Sequence, residues 1–383
     1  MRTFRAIGLM SGTSMDGIDI AMLETDGEMI SRFGPSALHL YREDEVALLR
    51  RALDEARALT DRDARPGAVG EAERMVTALH AGAVRVFLDA NGIDSERIDV
   101  IGFHGQTVLH RPDERLTVQI GDGQGLADET GIRVVYDLRA ADVAAGGQGA
   151  PLVPVYHRAL AATLACPRPI AVLNIGGVAN VTFIDGVPDP YACDTGPGNA
   201  LIDDFMRERR GEARDENGGA AARGRVDAGA VARVLGHSFF ALKPPKSLDR
   251  NAFREWVADR AALADKSVED GAATLAAITA ATVATIVPHL PEPPKSWIVC
   301  GGGASNATLM RMLGERLAPA RVETANEAGW NADAIEAQAF AYMAVRSLRG
   351  LPITFPTTTG APEPMTGGVV AEPRAARRKR MRI

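Results

Sequence analysis

Cysteine is scarce: Cys166, Cys193 and Cys300 are the only three in 383 residues. They are too few and too scattered for a disulfide framework or a zinc site, which predicts a reducing compartment. Aromatic residues are also few, at 5%. Positive charge does not predominate either. Lys and Arg total 43 against 49 Asp and Glu, a formal net charge of −6, which argues against a nucleic-acid partner. Residues 1–7 lack the apolar core of a signal peptide, and no run of about 20 apolar residues is apparent. No membrane partner is expected, and the predicted location is cytoplasmic. What remains is 46% hydrophobic and 24% charged, the balance of an ordinary globular protein, at a length that suits two domains.

Residues 8–20 organise the rest of the chain: Gly-Leu-Met-Ser-Gly-Thr-Ser-Met-Asp-Gly-Ile-Asp-Ile. A short apolar run precedes them, and Ile18, Ile20 and Met22 then alternate with Asp19, Ala21 and Leu23. That is strand, Gly- and Ser-rich turn, strand. Gly8, Gly12 and Gly17 allow tight turning and close approach to a ligand, and successive turn N–H groups make an anion nest. No Gly-Lys-Ser/Thr follows, so the stretch is not a P-loop.

The pattern returns at residues 170–184, where an apolar run leads into Asn174-Ile-Gly-Gly-Val-Ala-Asn180 and a second alternating strand. A repeat at such distance points to two similar domains rather than a solenoid. Next comes Cys193-Asp-Thr-Gly-Pro-Gly-Asn199 before a helical stretch over 200–210. Asp194 precedes a Gly-Pro-Gly turn whose N–H groups are expected to face an anion; the alternative is a helix cap. A third unit, Trp297-Ile-Val-Cys-Gly-Gly-Gly-Ala-Ser-Asn306, reads as strand, triple glycine and a helix over 307–317.

Between these units, helices are predicted over 45–59, 67–91, 124–130, 270–287 and 331–349, with strands over 97–102, 117–121 and 132–136. His104-Gly105-Gln106 sits on a turn at a strand end, placed either to touch a ligand or to serve as a hydrogen-bonded structural element. Arg139 suits bidentate capture of a carboxylate or phosphate, or a salt bridge to Asp137 or Asp142. Residues 142–154 read as an ordered loop or a domain crossing, 207–225 as a mobile charged segment, and Lys243-Pro-Pro-Lys-Ser247 as a stiff basic loop. The basic end, 374–382, is assigned no function.

Taken in order (phosphate, phosphate, adenosine), the three Gly units resemble the actin, sugar-kinase and Hsp70 superfamily. Within it, the blocks at 8–19, 104–107, 117–121, 142–154, 173–180, 194–199 and 300–306 resemble the anhydro-N-acetylmuramic acid kinases of peptidoglycan recycling. The resemblance implies an α/β fold of two actin-like (ribonuclease H-like) domains with a nucleotide cleft between them. Domain I is expected over 1–145, domain II over 146–350 and a C-terminal segment over 351–383. It implies an ATP- and Mg²⁺-dependent kinase that opens the ring of 1,6-anhydro-N-acetylmuramic acid with water and phosphorylates O6, and a homodimer. Asp194 is the implied catalytic base, with Glu336, Arg139, His104 and Gln106 on the sugar. ATP is assigned to Gly12, Thr13, Ser14, Met15, Asp16, Gly17, Ile18 and Asp19, to Gly176 and Gly177, and to Gly301, Gly302 and Gly303. Asp16 or Asp19 would hold the metal, with no choice between them. Leu138 and residues 248–251 depart from the pattern common in relatives. The rival expectations are a kinase of the same fold that opens no ring, and a nucleotide-switched binding or filament protein.

Overall fold

The computed structural model describes residues 2–12, 14–185, 187–248 and 250–374. The chain opens with strands β1 (Phe4–Met10), β2 (Gly17–Thr25) and β3 (Ile30–Leu40), followed by helices α1 (Glu43–Ala56) and α2 (Gly67–Ala90). Then come β4 (Val100–Phe103), the hairpin β5 (Gln106–Arg111) and β6 (Leu116–Ile120), α3 (Gly123–Thr130), β7 (Val134–Tyr136), α4 (Ala140–Ala145) and α5 (Pro154–Ala161). The middle of the chain carries β8 (Ile170–Ile175), β9 (Val178–Ile184), β10 (Tyr191–Pro197) and five helices: α6 (Ala200–Arg210), α7 (Gly219–Arg223), α8 (Ala228–Leu235), α9 (Arg250–Ala261) and α10 (Val268–Ala284). It continues through β11 (Ser296–Cys300), α11 (Ala307–Leu317) and β12 (Arg321–Thr324). The chain closes with α12 (Ile335–Leu348), α13 (Pro356–Thr359) and β13 (Val369–Ala371).

Contacts group these elements into two units, 1–163 with 333–383, and 164–332. The expected divisions at 145 and 350 fall elsewhere because α5 and α12 pack in the first unit, where the Tyr156 hydroxyl donates to Gln338 Oε1 at 2.8 Å. Apart from the extra edge strand β13 in the first, both units have the same strand order. The first sheet runs β13-β7-β4-β1-β2-β3 and the second β10-β9-β8-β11-β12. In each, a three-strand antiparallel meander is followed by two strands parallel to its first. This is the ribonuclease H-like order, present twice.

In the first unit, Ile18 and Ile20 of β2 join a core with Val76, Val84 and Phe87 of α2. The opposite face is buried as well. Ala21 and Leu23 are fully covered, so the alternation read from the sequence marks a strand wrapped on both faces. The second cover is α12, and two glycines admit it. Gly8 and Gly102 are paired in register on β1 and β4. A Cβ at Gly8 would lie 1.7 Å from the Ala337 carbonyl oxygen, and one at Gly102 2.0 Å from that of Phe340. Gly8 therefore serves helix packing rather than ligand approach. Gly17 likewise faces the His39 carbonyl of β3, 2.5 Å from a hypothetical Cβ.

The second unit is built round α10, whose residues from Gly271 to Val283 are all buried. With the turn that follows, Val268–His289 is long and apolar enough to cross a membrane, contrary to the expectation that no such stretch exists. However, 78% of that window is buried inside the protein, as befits a helix that is apolar all round in a domain core. The segment 207–225 is also better ordered than expected. Asp215, 7% exposed, accepts from the N–H groups of Ala220 and Ala221 at 2.7 and 3.0 Å.

Candidate active site

In the first unit the turn between β1 and β2 is tied to the turn between β4 and β5. Ser11 Oγ donates to the Gly105 carbonyl (2.9 Å), His104 Nδ1–H to the Ser11 carbonyl (3.0 Å), and Gln106 Nε2 to the Gly12 carbonyl (3.0 Å). Because its Nδ1 faces a carbonyl, His104 must carry the proton there, which leaves Nε2 as an acceptor. Arg139 Nη2 lies 3.4 Å from that nitrogen. Burial first, and Arg139 second, push the His104 pKa down to about 3. His104 is thus a buried, neutral ring that links the two turns through its Nδ1–H.

Arg139 makes neither of its alternative salt bridges. Asp137 pairs with Arg62 at 2.5 Å, and Asp142 accepts from Gly149 N–H (2.7 Å) and Thr359 Oγ1 (2.6 Å). Arg139 Nη1 instead donates to the Gly149 carbonyl at 2.7 Å. Its Nε and the Gln106 Oε1 are both buried without a hydrogen-bond partner. An orphaned donor and an orphaned acceptor in one unit are costly unless a ligand satisfies them.

Glu336, in the first turn of α12, opens to solvent yet is crowded by protein. Desolvation holds its carboxyl above the usual range, with Arg139 pulling it back. Asp19 on β2 is pushed up to about 6 by burial, then by Asp16, Glu336 and Asp333. Asp16 accepts from Ser14 Oγ at 2.7 Å, and Met15 holds the turn with φ of 55°. Asp16, Asp19, Arg139 and Glu336 therefore share one electrostatic neighbourhood. Thr13 lies outside the described residues.

In the second unit Gly176 and Gly177 form the β8–β9 turn. Asn199 N–H donates to the Gly176 carbonyl (2.7 Å) and Gly198 N–H to that of Gly177 (3.1 Å). These two amides ahead of α6 are consumed inside the protein, contrary to the expectation that they face an anion. The same turn borders a recess of about 300 Å³ that is also lined by Gly302 and by Asn199, Asp203 and Arg207. Of the three glycines after β11, Gly302 has open space beside it. Gly301 (φ 79°) and Gly303 abut Ile175, with hypothetical Cβ atoms 2.7 Å from its carbonyl oxygen and 2.3 Å from its Cγ2. The sequence reading omitted Asn199, Asp203 and Arg207. Their spacing of four along a helix that it did predict was the available signal, since it puts them on one face.

Asp194 lies on β10, where pairing with β9 slips between Asp194 and Gly196. Such a bulge re-aims side chains. Asp194 does not cap α6, whose N-cap residue is Asn199. Its Oδ2 accepts from Leu248 N–H at 2.8 Å, and its own N–H donates to the Lys246 carbonyl at 3.0 Å. Burial pushes its pKa up to about 6, against the pull of the Leu248 N–H and of Lys246. Its carboxylate therefore gains and loses a proton near neutrality, in the range useful to a general base.

Among solved structures, component A of (R)-2-hydroxyglutaryl-CoA dehydratase from Acidaminococcus fermentans is similar at a TM-score of 0.48 and 12% identity, over 90% of this chain and 99% of that one. The relatives in sequence are much nearer. The anhydro-N-acetylmuramic acid kinase of Azorhizobium caulinodans is 62% identical over 369 residues, covering 96% of this chain and 99% of its own. The enzyme of the same name from Nitrobacter winogradskyi is 60% identical over 368 residues, with the same coverage. The family model for anhydro-N-acetylmuramic acid kinase matches residues 4–373. The chain belongs to the anhydro-N-acetylmuramic acid kinase family.

Proposed function

We propose that the chain is an ATP-dependent kinase that opens 1,6-anhydro-N-acetylmuramic acid with water and phosphorylates it, in cell-wall recycling. Water attacks C1 and the C1–O6 bond breaks. O6 bonds to the γ-phosphorus of ATP as the bond to ADP breaks, giving N-acetylmuramic acid 6-phosphate and ADP. Asp194 takes the proton of the attacking water. An ordinary glycosidase needs a second carboxyl group to protonate the departing oxygen; here phosphorus captures O6, and one base is enough. The observation that carries this assignment is the Asp194 carboxylate itself, placed at a bulge and held by the Leu248 N–H, where burial pushes its pKa up to about 6.

Membership of the family supports the sugar assignments, as do the unpaired Arg139 Nε and Gln106 Oε1. Arg139, Gln106 and Glu336 contact the sugar, and His104 orients Arg139. The turn over 12–19, the Gly176-Gly177 turn and Gly301–Gly303 take ATP. The oxygen donors of Asp16 and Asp19 suit Mg²⁺, although among the described residues no group of three or more ligating side chains forms a cage. Mg²⁺ supplies charge neutralisation on the phosphates. A homodimer and a cytoplasmic location belong to the same proposal; the homodimer rests on family membership alone, and the location on the scarcity of cysteine.

The test is mass spectrometry of the products formed from ATP, Mg²⁺ and the anhydro sugar in ¹⁸O-labelled water, read promptly. The expected product is a phosphosugar with one ¹⁸O at the anomeric carbon, and Asp194→Asn should make it about 100-fold more slowly or worse. A phosphorylated sugar with its ring intact would exclude coupled opening, and near-normal turnover in the variant would remove Asp194 as the base.

A further inference from the structure

Lys246 lies in the stretch that reads from the sequence as a stiff basic loop, and the fold gives that loop a task. Lys246 and Leu248 bracket the Asp194 residue: the Lys246 carbonyl takes the Asp194 N–H at 3.0 Å, and the Leu248 N–H reaches Asp194 Oδ2 at 2.8 Å. The Lys246 side chain is tied down in turn. Its Nζ donates to the Phe239 carbonyl at 3.0 Å and stands 4.4 Å from the centre of the Phe239 ring, a cation–π contact. Phe239 is itself held in the core, 5% exposed and packed edge-on against Phe240 and Phe253. Upstream, the Tyr191 hydroxyl donates to the Pro244 carbonyl at 3.1 Å, so the loop is anchored at both ends of its basic stretch.

We propose that Lys246 is a positioning residue for the hydrolytic half of the reaction: anchored on Phe239, it straps the 246–248 backbone to β10 and keeps a positive charge within electrostatic reach of the Asp194 carboxylate. The proposal rests on Asp194 acting as the base.

The surroundings make Lys246 hard to replace. Asn180, the β9 partner of Asp194, is neutral. The neighbouring Cys193 thiol is pushed up to about 12 by burial and stays protonated. Helix α10 faces β10 with threonines, as Thr282 does at Gly196. On α9, Arg254 turns to Asp204 at 3.7 Å and Arg260 lies over the Trp256 ring. Among the described residues, Lys246 is the charged group whose field reaches Asp194. That field opposes desolvation, so its loss would leave the base protonated at a higher pH.

The test is the pH dependence of kcat/KM for the anhydro sugar in the full-length enzyme, as wild type, K246M, K246Q and D194N. K246M removes both donor and charge. K246Q keeps an N–H donor for the Phe239 carbonyl and removes only the charge. Thermal unfolding checks that each variant is folded. The expected result is an acid limb moved up by about one pH unit in K246M and K246Q, hence kcat/KM down about tenfold below the limb. Little change is expected in KM for ATP. Should K246M fail to fold, K246Q decides alone. An acid limb at the wild-type position in a folded charge-free variant would overturn the role of Lys246. Undiminished turnover in D194N would instead overturn Asp194 as base. A dead D194N with unshifted Lys246 variants would leave the base standing without its strap.

Discussion

His80 shows at a single residue how burial sets the pH response of the fold. It is fully buried on α2, donates from Nδ1 to the Val76 carbonyl at 2.7 Å, and has no partner at Nε2. Its ring lies 4.9 Å from that of Phe103. Burial pushes its pKa down to about 4, and those of His104 and His157 to about 3. A pKa that is lower in the folded state stabilises the fold above the unfolded value near 6.5, and that stability is lost as pH falls toward 4 and 3. Between pH 7 and 5, His80 alone should cost about 2 kcal/mol. His80→Phe removes the orphaned nitrogen and keeps an aromatic contact with Phe103, so its urea-denaturation stability should fall less over that interval than the wild type's. An equal fall in both would show that His80 does not titrate with folding. Asp19 and Asp194 have the opposite sign. Raised to about 6, they favour the fold below the usual carboxylate range and lose that contribution as pH rises through 6. The Asp194 carboxylate, proposed above as the base, is thus ionised at neutral pH against the preference of the fold.

At the scale of elements, the regular pieces were legible and their partners were not. The predicted helix over 307–317 is α11, and that over 200–210 is α6, because amphipathic periodicity and Gly- or Asn-rich ends act locally. The role of Gly8 was misread as turning because its neighbour α12 lies at the far end of the sequence, and no local pattern records that contact. The hairpin strand β5 and the edge strand β3 were also missed. The paired glycines yield a sharp prediction. In Gly102→Ala the new methyl carbon would meet the Phe340 carbonyl at 2.0 Å. Backbone cannot yield as a side-chain tip does, so the variant should lose about 3 kcal/mol or more of stability in urea titrations. A loss under 1 kcal/mol would mean that α12 shifts without cost.

The whole molecule consists of two units with one topology, but only one of them is continuous in sequence. Residues 164–332 contain their own sheet, the buried α10 and a single large core. Residues 1–163 lack α12, which covers β1, β2 and β4, and β13, which extends the sheet beyond β7. Expressed separately, 164–332 should show native-like helical circular dichroism and a cooperative thermal transition. Residues 1–163 should not, because the small-residue face of Gly8, Ala21 and Gly102 would be exposed. A cooperative melt of the 1–163 fragment would show that α12 is dispensable.

By itself the sequence determined what depends on local order: the three Gly-rich units, their succession and most of the helices, each from residue types at short spacing. The resemblance carried by the ordered blocks pointed to the family and implied Asp194 as the base. The tertiary structure decided which side chains meet. It showed that His104 spends both ring nitrogens inside the protein, and that Arg139 leaves its Nε unpaired. It also put Asn199, Asp203 and Arg207 on the recess beside Gly302, and laid the 246–248 backbone against Asp194. Burial and hydrogen bonding between distant segments arise only when the chain closes on itself, and those two effects set the protonation and aim of the groups at the site.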